Sequence, residues 1–183
     1  SQNLPEYAGT SLRGDGWTVG TATAFTTVAA VPTVTAALEV YNNGSRIMVV
    51  SELYAFQLLS TAATQTYSIW AMVTTLKAVP TLTALSLFST SGRNLITPTA
   101  AGEVVTGVGT TVVANGWRPY GAVQAWGTAA ATPGNGWSYA VNGKLVVPPG
   151  CSICVTVAGS IATASSFQAG LTFDWYSGTV EAS

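Results

Sequence analysis

Histidine is absent from this chain, and charged residues make up only 7% of its 183 positions. Without an imidazole there is no Ser-His-Asp or Cys-His nucleophile, and the commonest metal ligand is missing. Seven carboxylates remain, Glu6, Asp15, Glu39, Glu52, Glu103, Asp174 and Glu181, too dispersed to suggest the close acidic pair of a glycosidase. Glu39 and Glu52 are the two that a hairpin would bring face to face, and two solvated strand carboxylates are the simpler expectation. The lone Gly143-Lys144 follows Asn142 and leads into a strand, so no phosphate loop is present. Neither an enzyme nor a bound cofactor or metal is expected.

Other absences exclude partners. Six basic residues (Arg13, Arg46, Lys77, Arg93, Arg118, Lys144) are scattered and the net charge is −1, so no cationic stripe can follow a nucleic-acid backbone. No stretch reaches the roughly 18 continuous apolar residues of a membrane-spanning helix. The opening SQNLPEYAGTSLRGDG carries no basic-then-apolar leader, and a first Ser fits loss of an initiator methionine. Arg13-Gly14-Asp15 spells an integrin-type tripeptide, but Asp15-Gly16 also reads as a plain turn. Asn43-Gly44-Ser45 fits a glycosylation sequon and equally fits turn chemistry.

Cysteine is scarce as well. Cys151 and Cys154 lie three residues apart beside a Pro-Pro-Gly turn. On a strand, successive side chains point to opposite faces, so an odd separation aims the two thiols apart. Cys151, Ile153, Val155 and Val157 share an apolar face, and Ser152, Cys154 and Thr156 a smaller, more polar one. That alternation predicts a half-buried strand with Cys151 in the core and Cys154 an ordinary neighbour. A metal site needs about four ligands, and two thiols without histidine do not supply them. Thiols that cannot readily pair suggest folding in a reducing cytoplasm.

What is abundant is Thr, Ala, Val and Gly. Hydrophobic residues make up 48% and the mean hydropathy is +0.40, which opposes disorder. So little charge cannot coat a solitary soluble domain, and surfaces covered by other chains are expected. ALEVY-NNGS-RIMVVSELYAF reads as a hairpin turned at Asn-Asn-Gly. Its second strand is apolar on both faces, as is TYSIWAMVTTL, where Tyr67, Ile69, Ala71 and Val73 oppose Trp70 and Met72. Further strands are read at TLTALSLFST, GEVVTGVGTTVVA, GAVQAWGTA, KLVVP, CSICVTV and SFQAGLTFDWY. In the last, Phe167, Ala169, Leu171, Phe173 and Trp175 line one face. Short strands between Gly/Asn/Pro/Ser turns predict an all-β, antiparallel, two-sheet jelly-roll sandwich. The domain is placed at residues 37–183. Residues 1–36 stay open between an extended N-terminal arm and the first strands.

The stretch NGWRPYGAVQAWGTAAATPGNGWSYAVNG concentrates large rings among Gly, Pro and Asn. Read as loops, it offers Trp117, Arg118, Tyr120, Trp126 and Trp137 as candidate interface residues, since Trp, Tyr and Arg dominate interface hot spots. Two other uses are open: Trp126 and Tyr139 as core residues, or the rings as a sugar platform.

GKLVVPPGCSICVTVAGSIATASSFQAGLTFDWYSG resembles the C-terminal half of the jelly-roll virion proteins of tailed bacteriophages, which sit on heads as cement or decoration proteins. ALEVYNNGSRIMVVSEL is similar to their early hairpin. The resemblance runs in outline from Ala37 to Ser177, with specific matches in those two stretches. It implies a homotrimer folded in the host cytoplasm without signal peptide or disulfides, bound to major capsid protein on the virion surface. The alternative function is a receptor-binding or carbohydrate-binding adhesin module, with a glycan as partner.

Overall fold

The protein is described from a computed structural model, for residues 15–21, 25–26, 28, 31–32, 35–60, 64–75, 88–89, 104–111, 116–127, 136–159 and 165–176. These residues contain no helix. They form β1 (Gly16–Gly20), β2 (Phe25–Thr26), β3 (Thr35–Asn42), β4 (Ile47–Ser60), β5 (Thr64–Thr74), β6 (Phe88–Ser89), β7 (Val104–Thr111), β8 (Arg118–Gly127), β9 (Gly136–Val147), β10 (Ser152–Gly159) and β11 (Ser165–Tyr176). Sheet I has the order β6-β1-β11-β4-β9, with β2 also on β11; sheet II has the order β7-β3-β10-β5-β8. Every strand pairing in both sheets is antiparallel.

No two successive strands pair with each other among the described residues. The expected Asn-Asn-Gly hairpin is therefore corrected: β3 lies in sheet II and β4 in sheet I. The turn is a corner between sheets, held by Asn42, which is fully buried. Its Nδ2 donates to the carbonyls of Arg46 (2.8 Å) and Val147 (2.9 Å), and its Oδ1 accepts from the Gly44 N–H (3.1 Å). Its backbone N–H donates to Cys151 O and its carbonyl accepts from Gly150 N–H. One residue thus ties β3 to the end of β9 through its side chain and to the start of β10 through its backbone. Turn chemistry at Asn-Gly is the same for a hairpin and a corner; the apolar faces on both sides of it decide, because each strand needs its own layer to cover it.

The core lies between the sheets. Trp17, Val19, Met48, Val50, Leu53, Phe167, Leu171, Phe173 and Trp175 face Leu38, Val40, Tyr67, Ile69, Ile153, Val155 and Val157, all nearly or wholly buried. The inward row of β11 is the one its alternation predicts. In β4 strict alternation fails. A register shift between Val50 and Glu52 lets Met48 and Val50 face inward together with Leu53 and Ala55, a β-bulge that reverses the parity of the strand.

The described part of residues 1–36 is not a free arm. Strand β1 lies between β11 and β6, and Trp17 and Val19 are core residues. Strand β2 follows on the same side of β11. Val28 then crosses to sheet II, its N–H donating to Val157 O and its carbonyl accepting from Gly159 N–H. Residues 1–14, and with them the Arg13-Gly14 half of the tripeptide, lie outside the described residues; of the strand expected at 81–90, only Phe88 and Ser89 (β6) are described.

Strand β10 also departs from expectation. It is central in sheet II, and Ser152 through Val157 are all buried. Cys151 is half-buried and packs against the core with Ile153, Val155 and Val157, as its alternation predicts, whereas Cys154, expected to be an ordinary neighbour, is fully buried on the opposite face. A strand between two others, in a sheet whose second face is also covered, has no wet side to sort its residues by polarity.

Candidate binding face

The two sheets treat their outward faces differently. Behind sheet II, Met72, Trp117 and Cys154 form a second buried cluster with Ala36, against which Trp70 packs. Glu39 is buried there too, and Ser152 Oγ donates to its carboxylate at 2.7 Å. Glu39 and Glu52 thus stand in different sheets, and the expectation of two solvated carboxylates on one hairpin fails. Burial first, and the Glu39 charge second, push the Cys154 thiol far above its ordinary range. That thiol is held protonated and is no nucleophile.

Sheet I leaves its outward face open to solvent. Toward one end the row runs Tyr176, Ile47, Val49 and Val146 across β11, β4 and β9; Tyr176 pairs with Ile47 and Val49 with Val146. Tyr176 is 53% and Val146 42% exposed. Toward the other end come Tyr54, Phe56 and Leu58 of β4, with Phe56 and Leu58 exposed. Between the ends lie Ser51, Glu52, Thr172 and Ala140. Charge is nearly missing: Glu52 is half-buried, Asp174 is buried, and Lys144 alone is exposed.

Tyr54 does not project from this face. Its ring reaches over Gly170 of β11 to β1, where its hydroxyl donates to Val19 O at 3.2 Å. A Cβ on Gly170 would overlap the phenol carbon and hydroxyl, and one on Gly20 would meet the hydroxyl at 2.8 Å. Phe56 lies the other way, over Gly136 of β9, where a Cβ would stand 2.9 Å from its ring. The rings therefore lie flush along the sheet, each on glycine. Polar groups border them. Thr172 Oγ1 donates to Thr18 Oγ1 (3.4 Å), which donates to Leu171 O (3.3 Å); Ser51 Oγ donates to Thr172 O (3.1 Å) and Gln168 Nε2 to Thr21 O (2.9 Å). Sequence reading passed over these residues. The available signal was Gly170 inside an otherwise good strand, since glycine in a strand interior marks a close approach of another group.

The four candidate interface residues whose side chains are described are not brought together as one surface, and the described part of the stretch that holds them is mostly strand rather than loop. Trp117 is buried behind sheet II. Trp137 packs on the core, stacked on Tyr67 (6.4 Å between ring centroids) and edge-on to Phe167 (5.7 Å). Tyr120 also packs on the core and meets Tyr139 edge-on at 6.0 Å. Arg118 is exposed on β8. Trp126 lies in β8 opposite Gln65, and its side chain is outside the described residues. Rings that alternate along a strand are sorted by the pleat, which separates them.

At the far end of sheet I, Arg46 Nη1 stands 3.3 Å from Asp15 Oδ1, with the guanidinium 4.7 Å above the Trp175 ring. Trp175 N–H donates to Asp15 O. Asp15 is thus tied into the sandwich rather than offered at a loop tip. Among the described residues no three of Cys, Asp and Glu gather as a metal-ligand group. Compared with protein-family models and with the sequences of curated proteins, the chain matches none.

Proposed function

We propose that this chain is a structural protein of a tailed-phage virion, a jelly-roll cement or decoration protein without enzymatic activity. In this reading it assembles as a homotrimer and clamps neighbouring capsid subunits. The jelly-roll reading is supported by strand order. With β2, β6 and β7 set aside, the eight remaining strands, counted along the chain, run 1-8-3-6 in sheet I and 2-7-4-5 in sheet II. Successive strands then change sheet at every step but one, 4 to 5, which pair with each other in sheet II, as rolling a long hairpin around a barrel with its closed end at strands 4 and 5 requires.

The observation that carries the assembly role is the row Tyr176, Ile47, Val49 and Val146. It is an apolar strip across three strands of an open sheet face, in a chain with 7% charged residues. Contiguous apolar surface of this kind marks a protein contact. The phage setting rests on the likeness of the two stretches quoted above to head proteins.

Sedimentation equilibrium at micromolar concentration tests the assembly, and co-sedimentation with undecorated capsids tests the partner. Val146→Lys combined with Tyr176→Lys is expected to leave the far-ultraviolet spectrum unchanged while abolishing trimers or capsid binding. A monomeric wild-type protein that also fails to bind capsids would overturn the proposal.

A further inference from the structure

We propose that the Tyr54–Phe56 end of the outward face of sheet I is a binding site for a neutral glycan, a role independent of the assembly strip at the other end. The posture of the rings favours this ligand. An aromatic hot spot in a protein contact is a knob that fills a pocket in its partner. Tyr54 and Phe56 instead lie down on glycines, presenting ring faces level with the strands. The face of an aromatic ring carries the negative part of its quadrupole, and the flat side of a pyranose presents a row of polarised C–H bonds that such a face attracts.

The border supplies the other half of sugar recognition. Thr18, Thr172 and Gln168 stand on the β1–β11 side and the exposed Ser138 on the β9 side, hydroxyls and an amide that both donate and accept. Sugar hydroxyls need both. The charge nearest this end is Glu52, half-buried opposite Thr172, and a carboxylate repels an acidic sugar or a phosphate rather than matching it. Strands about 4.8 Å apart extend the floor across β1, β11, β4 and β9, which suits a chain of several sugars better than a single one.

The site is also held ready. The hydrogen bond from Tyr54 to Val19 O and the glycine bed fix the ring before any ligand arrives, so little side-chain freedom remains to be lost on binding. Rigid strands rather than loops carry it. Gly170 in the interior of β11 costs strand stability, and the ring that occupies its space, reaching on to Gly20 at the end of β1, is what it permits.

The experiment is a binding screen of the full chain against immobilised neutral polysaccharides (β-glucans, xylan, mannan, galactan, chitin) with polyuronic acid as the charged comparison, followed by titration calorimetry on oligosaccharides of the best binder. Wild type is expected to bind at least one neutral polymer, with little dependence on salt. Phe56→Ser and Tyr54→Ala are each expected to weaken binding about tenfold or more, the loss of one stacking contact. Tyr54→Phe keeps the ring and is expected to retain most of the affinity. Both deletion variants are checked by sedimentation. No binding to any neutral polymer would overturn the proposal, as would affinity unchanged in Phe56→Ser and Tyr54→Ala. Dissociation of an oligomer by those two variants would overturn it as well, because the rings would then be a contact between copies.

Discussion

Replacing Asn42 by Asp tests whether one amide holds the corner between the sheets. The side chains are nearly equal in size, and a carboxylate oxygen can still accept from the Gly44 N–H. What is lost is the Nδ2 donor, which serves Arg46 O and Val147 O at 2.8 and 2.9 Å in a site with no solvent exposure. Two hydrogen bonds at about 1 kcal/mol each disappear, and leaving the buried Val147 carbonyl without its donor adds roughly 1–3 kcal/mol. The sum, about 3–5 kcal/mol, is a large share of the roughly 5–15 kcal/mol that hold a domain together. Charge makes it worse, because an ionised oxygen would face two carbonyl oxygens.

That repulsion gives the substitution a pH signature. In the folded variant the new carboxyl favours its neutral form, so its folded pKa rises above the unfolded value near 4. The folded state then binds more protons than the unfolded one, and stability falls as pH rises through that range. Below it, the protonated carboxyl can donate to one of the two carbonyls and part of the loss returns. Asn42→Ala removes the same donor without a titrating group, so its deficit should not vary with pH. Urea unfolding followed by tryptophan fluorescence at about pH 4 and about pH 7 measures both. A deficit for Asn42→Asp under about 1 kcal/mol, or one equal at both pH values, would refute the reading of Asn42 as the pin of the corner.

Two further outcomes follow from the described core. Thiol titration of the native protein should find Cys151 reacting readily and Cys154 only on unfolding, since Cys154 has no exposed surface and its thiol is held protonated by burial beside Glu39; equal rates for both thiols would contradict that placement. Deleting residues 1–30 should abolish cooperative unfolding rather than trim an arm, because β1 and the Trp17 and Val19 side chains go with it. Loss of two such core residues, together with the strand that carries them, takes away a large share of a typical domain's stability, and a truncated protein with a sharp thermal transition would sink this prediction.

How much of this was legible beforehand depends on what an alternating pattern can report. It reports which residues share a face, and for β5 and β11 it did so correctly, down to Tyr67 and Ile69 inward against Met72 outward. It does not report a partner. The Asn-Asn-Gly stretch carried real turn chemistry, yet whether the next strand folds back or moves to the opposite layer depends on faces distant in sequence. Nor does alternation count bulges, and one extra residue at Ser51 moved Leu53 from the row of Val49 to the row of Val50. Two-sided burial misled most. Ser152, Cys154 and Glu39 looked wet because they are small or polar, and they lie under a second cluster whose members Met72 and Trp117 come from elsewhere in the chain. The candidate site was hidden for a related reason. Tyr54 draws attention only as one ring among many until Gly170 and Gly20 are seen to lie beneath it, a three-strand coincidence that local sequence does not record. A glycine within a strand is therefore the more informative residue, because its cost to the strand requires a ring, a backbone or a ligand to occupy the space it leaves.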